Sequence, residues 1–586
     1  MMETEKRIDR AAVLHIPLSQ YAFAESEHAL TVRIRVKKDD LSECILYYAD
    51  RVCRKTPIDF YEIPMEICAC DEYFTYYEAT IESCYSRICY YFKLIQGDEW
   101  IYYYADRFTN VLPDMQLEGS IVDGRSEYYQ YPFILKSEIS DVPKWFKRAA
   151  VYNIFPDSFA SGRRMLQKTT GEVCLENGHV CRAENGGTIR GIMENLDYIQ
   201  EMGFDCIYLN PIFAAGEYHK YDVLDYYHID PCMGTEEDFE KLVEELHRRG
   251  MKIIIDGVFN HCSWEFFAFE DVVKKGEKSR YCKWFYDLSF PVIKPESTEE
   301  LPGYVCFAYE RKMPKLNTAD TEVQMYFADV GAYWIKRYHV DGWRLDVANE
   351  IDRNFWRRFR AAVKKENPDA ILVGEVWENA QSWLRGDAFD SVMNYEFRRI
   401  CKEYLIVKEP DAVTAAYQFE QMRLRYPTNI VNGQLNLLDS HDVPRFLSLC
   451  HGDIAKWKLA CILLMLMPGV PSLFYGDERG MCGVTEKEYR HAMEWEKKDT
   501  LCDFVGKLLK IRKETIDEKT DYRPRWEMIE AGLFAFSRKS KKGEITVIVN
   551  AGEESKLTIP DEEKILLKEG FEKGVLLRNG YLVFRG

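Results

Sequence analysis

The stretch 340-VDGWRLDVA-348 is a short apolar run that contains one arginine and two aspartates. Because a charge on a buried strand costs free energy unless it is paired, we expect the strand to end within this run, with its tip in a site. Arg344 and Asp346 are two positions apart, so they face the same side of the strand. The run therefore predicts a buried strand that delivers an arginine and a carboxylate to one place.

Seven further apolar runs are separated by helical stretches. In residues 235–250 the apolar side chains recur at helical spacing, Thr235 can cap the start, and Gly250 stands where the helix would end. Eight strands that alternate with helices favour a (β/α)8 TIM barrel, and an open doubly wound sheet is the alternative on pattern alone. The seven runs are 150-AVYNIF-155, 206-CIYLNPI-212, 252-KIIIDGVFN-260, 370-AILVGEVW-377, 389-FDSVMN-394, 435-LNLLDSH-441 and 472-SLFYGDE-478.

The segments on either side of this pattern have the short strands of β-sandwich domains. Residues 1–141 show two-residue alternation, as in 30-LTVRIRV-36, which is typical of a half-buried strand and predicts an N-terminal β-sandwich. Residues 142–520 hold the predicted barrel, with an inserted subdomain at about 262–318 after its third strand. Residues 521–586 return to short strands and predict a C-terminal β-sandwich.

Composition narrows the class of protein. The chain has 586 residues, and its formal charge of −18 argues against nucleic acid or an anionic membrane surface as a partner. Aromatic residues make up 14% of the chain, which suits core packing first and flat carbohydrate-like ligands second. The N-terminal segment lacks the apolar stretch of a secretory signal, and the 18 cysteines follow no repeated spacing. These features predict a cytoplasmic protein with reduced thiols.

Polar residues follow the apolar runs, at the barrel end where active sites form. Taken singly, an acidic residue there is more often a helix cap or a surface charge, and a histidine is more often a structural donor. Carboxylates that converge on one rim repel one another, however, and folding alone would not favour this arrangement. Arg344 would relieve the repulsion and keep Asp346 ionised at neutral pH. The residues at the strand ends are Asp256, Asn260, His261, Arg344, Asp346, Glu375, His441 and Asp442.

Paired carboxylates in an aromatic-lined cleft indicate glycoside hydrolysis. A retaining enzyme needs one carboxylate as nucleophile and one carboxylic acid roughly 5–5.5 Å away as proton donor. Asp346 and Glu375 follow neighbouring strands, so they can stand at that separation. The surrounding carboxylates would raise the pKa of the proton donor.

Four motifs resemble, in their usual order, the sequence signatures of the α-amylase family, glycoside hydrolase family 13: 256-DGVFNH-261, 342-GWRLDVANE-350, 374-GEVWENA-380 and 439-DSHD-442. The stretch 313-MPKLN-317 and the ending of the second motif look like the neopullulanase, cyclomaltodextrinase and maltogenic amylase subgroup. The resemblance covers nearly the whole chain. It implies an N-terminal sandwich of the starch-binding type, a barrel with an inserted subdomain and a C-terminal sandwich.

The resemblance also implies a role for each residue of the centre. Asp346 would be the nucleophile and Glu375 the general acid/base. Asp442 would be the third carboxylate, which binds sugar hydroxyls and stabilises the transition state. Arg344 would position the nucleophile, and Tyr221 matches the tyrosine on which the central sugar stacks.

Two histidines and two further polar residues complete this centre. The resemblance implies that His261 and His441 hydrogen-bond the central sugar. Asp256 and Asn260 look like supports of the site architecture.

Three further positions match the outer parts of the family's cleft. Trp377 and Glu350 match residues on the leaving-group side, where the subgroup accommodates α-1,6 branches and acceptor sugars. Arg490 would touch the non-reducing end of the substrate, and a structural ion pair is an equal alternative.

The segment after the first barrel strand departs from the family pattern. Ser161 and Arg163 stand where asparagine and aspartate usually help to hold calcium. An arginine brings a like charge to an oxygen-ligand cage, so we expect calcium binding at 156–163 to be lost or weak. No cofactor and no other metal site is predicted.

The leading hypothesis is a retaining glycoside hydrolase that cleaves α-1,4 and some α-1,6 glucosidic bonds in cyclodextrins, maltodextrins or pullulan, with transglycosylation as a second outcome. The alternatives are an exo-acting α-glucosidase of the same family and a non-catalytic carbohydrate-binding relative. The presence of Asp346, Glu375 and Asp442 argues against the last. The subgroup further implies a homodimer that forms through the N-terminal domain.

Overall fold

The protein folds as two compact units, which are described separately. One unit comprises Met1–Asp141 with Val413–Val431, and the other comprises Val142–Ala412 with Asn432–Gly586. The computed structural model describes residues 8–52, 58–112, 127–297, 299–407, 409, 411–497, 501–558 and 562–586.

The first unit contains two antiparallel sheets around a shared apolar core, as the predicted N-terminal sandwich requires. One sheet has the order β1-β2-β6-β5, and the other has the order β4-β3-β7-β8-β9 with β10 paired to β7. The strands are β1 (Ala22–Ser26), β2 (Ala29–Lys37), β3 (Glu43–Asp50), β4 (Tyr61–Pro64), β5 (Glu66–Cys70), β6 (Phe74–Glu82), β7 (Ile88–Gln96), β8 (Glu99–Tyr104), β9 (Arg107–Thr109) and β10 (Tyr129–Tyr131).

Strand β2 is buried on both faces, which the alternation in 30–36 did not predict. Its apolar face lies in the core, but Thr31 and Arg33 on the other face are each only 2% exposed. The Arg33 guanidinium contacts Glu78 at 2.5 Å and donates to the Tyr426 carbonyl at 3.3 Å. The segment 413–431, far away in sequence, therefore belongs to this unit and covers the polar face.

The second unit contains a closed barrel of eight parallel strands, which confirms the barrel and excludes the open sheet. Seven barrel strands lie within the predicted apolar runs, and the eighth, Val470–Phe474, begins two residues before the run 472–478. The strand order follows the chain. In chain order the strands of this part are β11 (Val151–Ile154), β12 (Gly171–Cys174), β13 (Val180–Ala183), β14 (Cys206–Leu209), β15 (Phe213–Ala215), β16 (Val223–Ile229), β17 (Lys252–Gly257), β18 (Gly342–Leu345), β19 (Ile371–Gly374), β20 (Ser391–Asn394), β21 (Leu435–Leu437) and β22 (Val470–Phe474). All except β12, β13, β15 and β16 form the barrel.

Helices surround the barrel strands. The helix Glu236–Arg248 forms as predicted: Thr235 and Asp238 make a reciprocal capping box, and Gly250 has a φ of +73° just past the end. The other α-helices in the described residues are Lys144–Arg148, Pro156–Phe159, Ile189–Glu194, Leu196–Met202, Phe267–Lys275, Thr321–Tyr338, Arg353–Glu366, Tyr395–Lys402, Ala412–Leu424, Thr428–Val431, Phe446–Leu449, Ile454–Leu466, Glu486–Tyr489, Cys502–Thr515 and Trp526–Ile529.

The insertion between β17 and β18 returns to the barrel rim. It contains the helix Phe267–Lys275 and several short turns, and its last part pairs with the chain that follows β17 through a bridge between His261 and Lys315. The insertion thereby adds side chains to the rim beside the end of β17, as the predicted inserted subdomain requires.

The C-terminal residues form a sheet domain with the order β23-β24-β25-β28-β26, in which β27 also pairs with β28. Its apolar core includes Ala535, Ile548 and Leu582. The strands are β23 (Asp521–Pro524), β24 (Phe534–Ser540), β25 (Gly543–Val549), β26 (Ser555–Lys556), β27 (Ile565–Glu572) and β28 (Val575–Arg585).

Two features bear on the predicted location. In the described part of the chain, the cysteines all carry free thiols. None of the helices described combines the length and apolar character that crossing a bilayer requires. The cytoplasmic location itself stays a prediction.

Candidate active site

Three carboxyl groups from different barrel strands line one cavity at the carboxyl end of the barrel. Asp346 follows β18, Glu375 follows β19 and Asp442 follows β21, as the ends of parallel strands in a barrel require. The cavity has a volume of about 470 Å³. Acidic side chains that the sequence separates by up to about a hundred residues thus share one opening.

Arg344 lies beneath these carboxyl groups and is completely buried in β18. Its Nη1 lies 2.7 Å from Asp346 Oδ1 and 3.0 Å from Asp256 Oδ1. Its Nη2 lies 3.0 Å from Glu375 Oε1 and 3.7 Å from Asp442 Oδ2. One guanidinium therefore faces four carboxyl groups, which leaves an excess of negative charge around the cavity.

This excess charge shifts the pKa values of the site. Burial raises the pKa of Asp346 well above its usual range, Arg344 opposes the rise, and the charge of Glu375 adds to it. Arg344 thus acts in the predicted direction, but burial is the larger effect. Burial also raises the pKa of Asp442, but His441, Arg344 and Arg490 outweigh it and lower that pKa to about 2. Asp442 is therefore ionised at any working pH.

Two N–H groups orient the Glu375 carboxyl. The backbone N–H of Val347 donates to Oε2 at 2.9 Å, and the indole N–H of Trp377 donates to Oε1 at 3.0 Å. Val347 has a φ of +43°, a left-handed conformation that is strained for a β-branched residue. The strained turn after β18 therefore aims an N–H at the acid that follows β19.

A buried hydrogen-bond network joins Asp256 to the cavity wall. Tyr208 and Tyr221 donate their hydroxyl protons to Asp256 Oδ2 at 2.6 and 3.1 Å. The Tyr221 hydroxyl also contacts His441 Nε2, and their rings stack with centroids 5.3 Å apart. His441 Nε2 lies 3.0 Å from Asp442 Oδ2. Asp256 thus fixes the aromatic wall without lining the cavity, which agrees with a supporting position.

His261 also lines the cavity. Its Nε2 lies 3.1 Å from the Tyr221 carbonyl oxygen, and its ring stacks on Phe307 of the insertion at 4.6 Å. Burial, with the charge of Lys315 second, lowers the pKa of His261 to about 3, so the ring is neutral. Asn260 is fully buried, and its amide oxygen accepts a hydrogen bond from Lys315.

The three residues predicted for the outer parts of the cleft lie in different environments. Trp377 is 51% exposed and stacks on Tyr395 with centroids 3.9 Å apart. Glu350 does not line the cavity, and instead pairs with Lys315 at 3.0 Å. Arg490 lines the cavity and also contacts Glu486 at 2.5 Å, so both interpretations of this arginine have a structural basis.

The predicted residues thus form two layers. The cavity is lined by Tyr221, His261, Asp346, Glu375, Trp377, Asp442 and Arg490. Completely buried behind it are Asp256, Asn260, Arg344 and His441.

Several wall residues were not singled out from the sequence. His219 lies two residues before Tyr221, so its position was a usable signal. Asn349 and Glu486 neighbour residues that were singled out, whereas nothing in the sequence of the insertion marked Phe307. Tyr395, which stacks on Trp377, was not singled out either.

Side-chain oxygen atoms of the segment 156–163 accept hydrogen bonds from other residues of the protein. The Asp157 carboxylate accepts hydrogen bonds from the backbone N–H groups of Asn185 at 2.9 Å and Gly186 at 3.2 Å. Ser161 Oγ accepts from the Gln167 N–H at 2.8 Å, and Arg163 lies on the surface. Within the residues described, His, Cys, Asp and Glu side chains form no group of three suited to a metal ion. Loss of calcium binding stays a prediction.

Comparison with known proteins gives matches along the whole chain. The family model for the alpha amylase catalytic domain matches residues 153–528, and the model for the alpha amylase N-terminal ig-like domain matches residues 8–134. Neopullulanase 2 of Thermoactinomyces vulgaris is 39% identical over 556 residues, which cover 92% of this chain and 90% of that protein.

Two further matches cover nearly all of both chains. Cyclomaltodextrinase of Thermoanaerobacter pseudethanolicus is 36% identical over 584 residues, with 97% of this chain and 98% of that protein covered. A solved structure of a cyclomaltodextrinase has a TM-score of 0.84 at 32% identity and covers 98% of each chain. With the barrel and its carboxyl-lined cavity, these matches confirm the resemblance found in the sequence: the chain belongs to the α-amylase family of glycoside hydrolases.

Proposed function

We propose that this enzyme cleaves α-1,4 and some α-1,6 glucosidic bonds of cyclodextrins, maltodextrins and pullulan with retention of configuration. The observation that carries the proposal is the contact of a single buried guanidinium with both Asp346 and Glu375 at one cavity. A retaining hydrolase needs two carboxyl groups close together, one to attack the sugar and one to supply a proton, and the shared guanidinium holds these two near one another.

Asp346 acts as the nucleophile in this proposal. Its Oδ attacks the anomeric carbon while Glu375 gives a proton to the departing glycosidic oxygen, so a glycosyl ester forms and a shorter glucan leaves. Glu375, now a carboxylate, takes a proton from water, and the hydroxide attacks the ester carbon to free Asp346. The reaction therefore starts with Asp346 as the carboxylate and Glu375 as the carboxylic acid.

The walls bind the reacting sugar. Tyr221 offers its ring for stacking, held by Asp256 and His441, and the ionised Asp442 accepts hydrogen bonds from sugar hydroxyls. His261, neutral at working pH, hydrogen-bonds the same ring, and His441 holds Tyr221 from behind the cavity wall. Asp442 also stabilises the positive charge that develops on the sugar in the transition state.

We base the proposed substrates on the names of the relatives. Their names point to cyclomaltodextrins and pullulan as substrates of those proteins, and the coverage of both chains is nearly complete. The exposed face of Trp377, beside the acid, offers a platform for a leaving sugar or for a sugar acceptor. Transglycosylation follows when a sugar hydroxyl takes the place of water at the ester.

We also propose a homodimer that forms through the first unit. Ile67 and Tyr61 are 59% and 54% exposed on strands at the ends of the two sheets, and Tyr73 is 62% exposed. Exposed apolar groups on edge strands favour association. Sedimentation of the whole chain should give twice the chain mass, and Ile67→Lys should shift the equilibrium to the monomer. A monomer at micromolar concentration would contradict this proposal.

The catalytic assignment predicts a large loss in Glu375→Gln. We expect hydrolysis of β-cyclodextrin and maltotriose to fall at least about 10³-fold, because both proton-transfer steps need the carboxyl group. The exposed Glu366→Gln serves as the matched control and should keep wild-type rates. Undiminished turnover in Glu375→Gln would refute the assignment. Product chromatography also separates this function from an exo-acting α-glucosidase, since only the latter releases glucose singly from one chain end.

The pKa of Asp346 predicts the acid limb of the pH profile. The nucleophile must be ionised, so kcat/KM should fall as the pH drops through the raised pKa of Asp346. Removing the charge of Glu375 lowers that pKa. With an aryl α-maltoside whose leaving group needs no proton, Glu375→Gln should therefore show an acid limb at lower pH than the wild type. An acid limb that stays in place or moves to higher pH would argue against the coupling.

The occupied oxygen atoms of 156–163 predict independence from calcium. Treatment with EDTA should leave kcat on maltotriose and the midpoint of thermal unfolding unchanged, since Asp157 and Ser161 already accept hydrogen bonds from the protein. Calorimetry and initial rates, with and without added CaCl2, provide the measurement. A loss in EDTA that CaCl2 restores and MgCl2 does not would show that a calcium site exists.

A further inference from the structure

A second pocket, of about 240 Å³, lies within the first unit and shares no described residue with the carboxyl-lined cavity. Three arginines line it: Arg33 and Arg35 from β2, and Arg425 from the segment 413–431. Among the described residues of its wall, Asp71 is the single carboxylate. The wall thus carries a positive charge in a chain whose formal charge is −18, which points to an anionic ligand.

Two of these charged residues already have partners within the protein. Arg33 contacts Glu78 at 2.5 Å, so its charge is balanced behind the wall. The Asp71 carboxylate accepts hydrogen bonds from the backbone N–H of Phe74 at 2.7 Å and from the Tyr76 hydroxyl at 2.8 Å. Both side chains are therefore held in place by the fold.

Arg35 differs, because its guanidinium has no such partner. Its Cζ lies 4.0 Å from the centroid of the Phe74 ring, and this stacking fixes the plane of the guanidinium. Its Nε is buried, and no hydrogen-bond acceptor for it is found in the part of the chain that the structure describes. A buried cationic N–H without an acceptor costs free energy, which a bound anion recovers.

Tyr21 brings a neutral donor to the same pocket. It is only 7% exposed, and within the described ranges its hydroxyl makes no hydrogen bond. Burial raises the pKa of Tyr21, and the charges of Arg35 and Arg33 oppose the rise. The hydroxyl therefore keeps its proton and lies in the field of both guanidinium groups.

This set of donors suits a phosphate group. Guanidinium groups match the geometry of phosphate oxygens, and a phosphate offers three acceptor oxygens where a carboxylate offers two. Arg35, Arg425 and Tyr21 line one opening, and the amide side chains of Gln20 and Gln421 line the same wall. Amide groups beside an anion site suit the hydroxyl groups of a sugar.

We propose that this pocket binds a phosphate group, as the free anion or as the ester of a sugar, with Arg35, Arg425 and Tyr21 as hydrogen-bond donors. A bound phosphate joins β2 to the segment 413–431, and it therefore stabilises the first unit against unfolding. The inference goes beyond the proposed function and does not depend on it, because Asp346 and Glu375 take no part in this binding.

Isothermal titration calorimetry of the whole chain with inorganic phosphate, glucose 1-phosphate and glucose 6-phosphate tests the proposal. In Arg35→Gln the affinity for these compounds should fall at least about tenfold, the effect of losing a hydrogen bond from a charged group. Tyr21→Phe, which removes one oxygen atom and keeps the ring, should lower the affinity about fivefold. Tighter binding of the esters assigns the site to a sugar phosphate, and equal affinities assign it to the free anion.

The exposed Arg87→Gln, directly before β7 in the same unit, is the matched control and should keep the wild-type affinity. The midpoint of thermal unfolding without ligand reports whether each variant folds, and Tyr21→Phe tests the pocket even where Arg35→Gln does not fold. The absence of binding by all three compounds, or an unchanged affinity in both pocket variants, overturns the proposal. Glu375→Gln should bind phosphate as the wild type does, so a failure of the proposed function leaves this result unaffected.

Discussion

The site depends on the contact between one buried guanidinium and four carboxyl groups. Arg344 cannot lose its charge and has no solvent around it, so it requires anionic partners, and the carboxyl groups require it in turn. Neighbouring barrel strands supply this geometry, because Arg344 on β18 pairs in register with Asp256 on β17 and Val373 on β19. The rigid wall keeps like charges together that would separate on a flexible loop.

The barrel and the site residues at its strand ends could be predicted because both follow from position along a strand. Each apolar run is a strand, and its polar residue comes where the run ends, as Asp346 and Glu375 do. The positions of the residues farther from the strand ends depend on tertiary contacts that the local sequence does not reveal. Phe307 reaches His261 only because the insertion folds back and pairs Lys315 with the chain after β17. The same insertion draws Glu350 toward Lys315 and away from the cavity wall.

The domain to which the segment 413–431 belongs could not be predicted from the local sequence either. The segment lies within residues 142–520, which were predicted to form the barrel, yet it groups with the N-terminal strands. Lys38 donates to the Tyr417 hydroxyl at 2.6 Å, and Arg33 donates to the carbonyl of Tyr426. The alternation in 30–36 placed Arg33 on a solvent-facing strand position, so its burial, and its need for a covering segment with acceptors, emerge only in the fold.

The turn after β18 couples the two reacting carboxyl groups through the backbone. Val347 takes a left-handed conformation next to Asp346, and its N–H binds Glu375. A residue in this conformation persists only when its surroundings hold it, and here they do: the neighbouring Ala348 N–H donates to the Glu375 carbonyl at 3.2 Å. Strand β18 and the two residues that follow it thus carry Asp346, the arginine that balances its charge, and the N–H that orients Glu375. The separation between the two carboxyl groups is therefore fixed by a few consecutive residues rather than by the fit of distant loops.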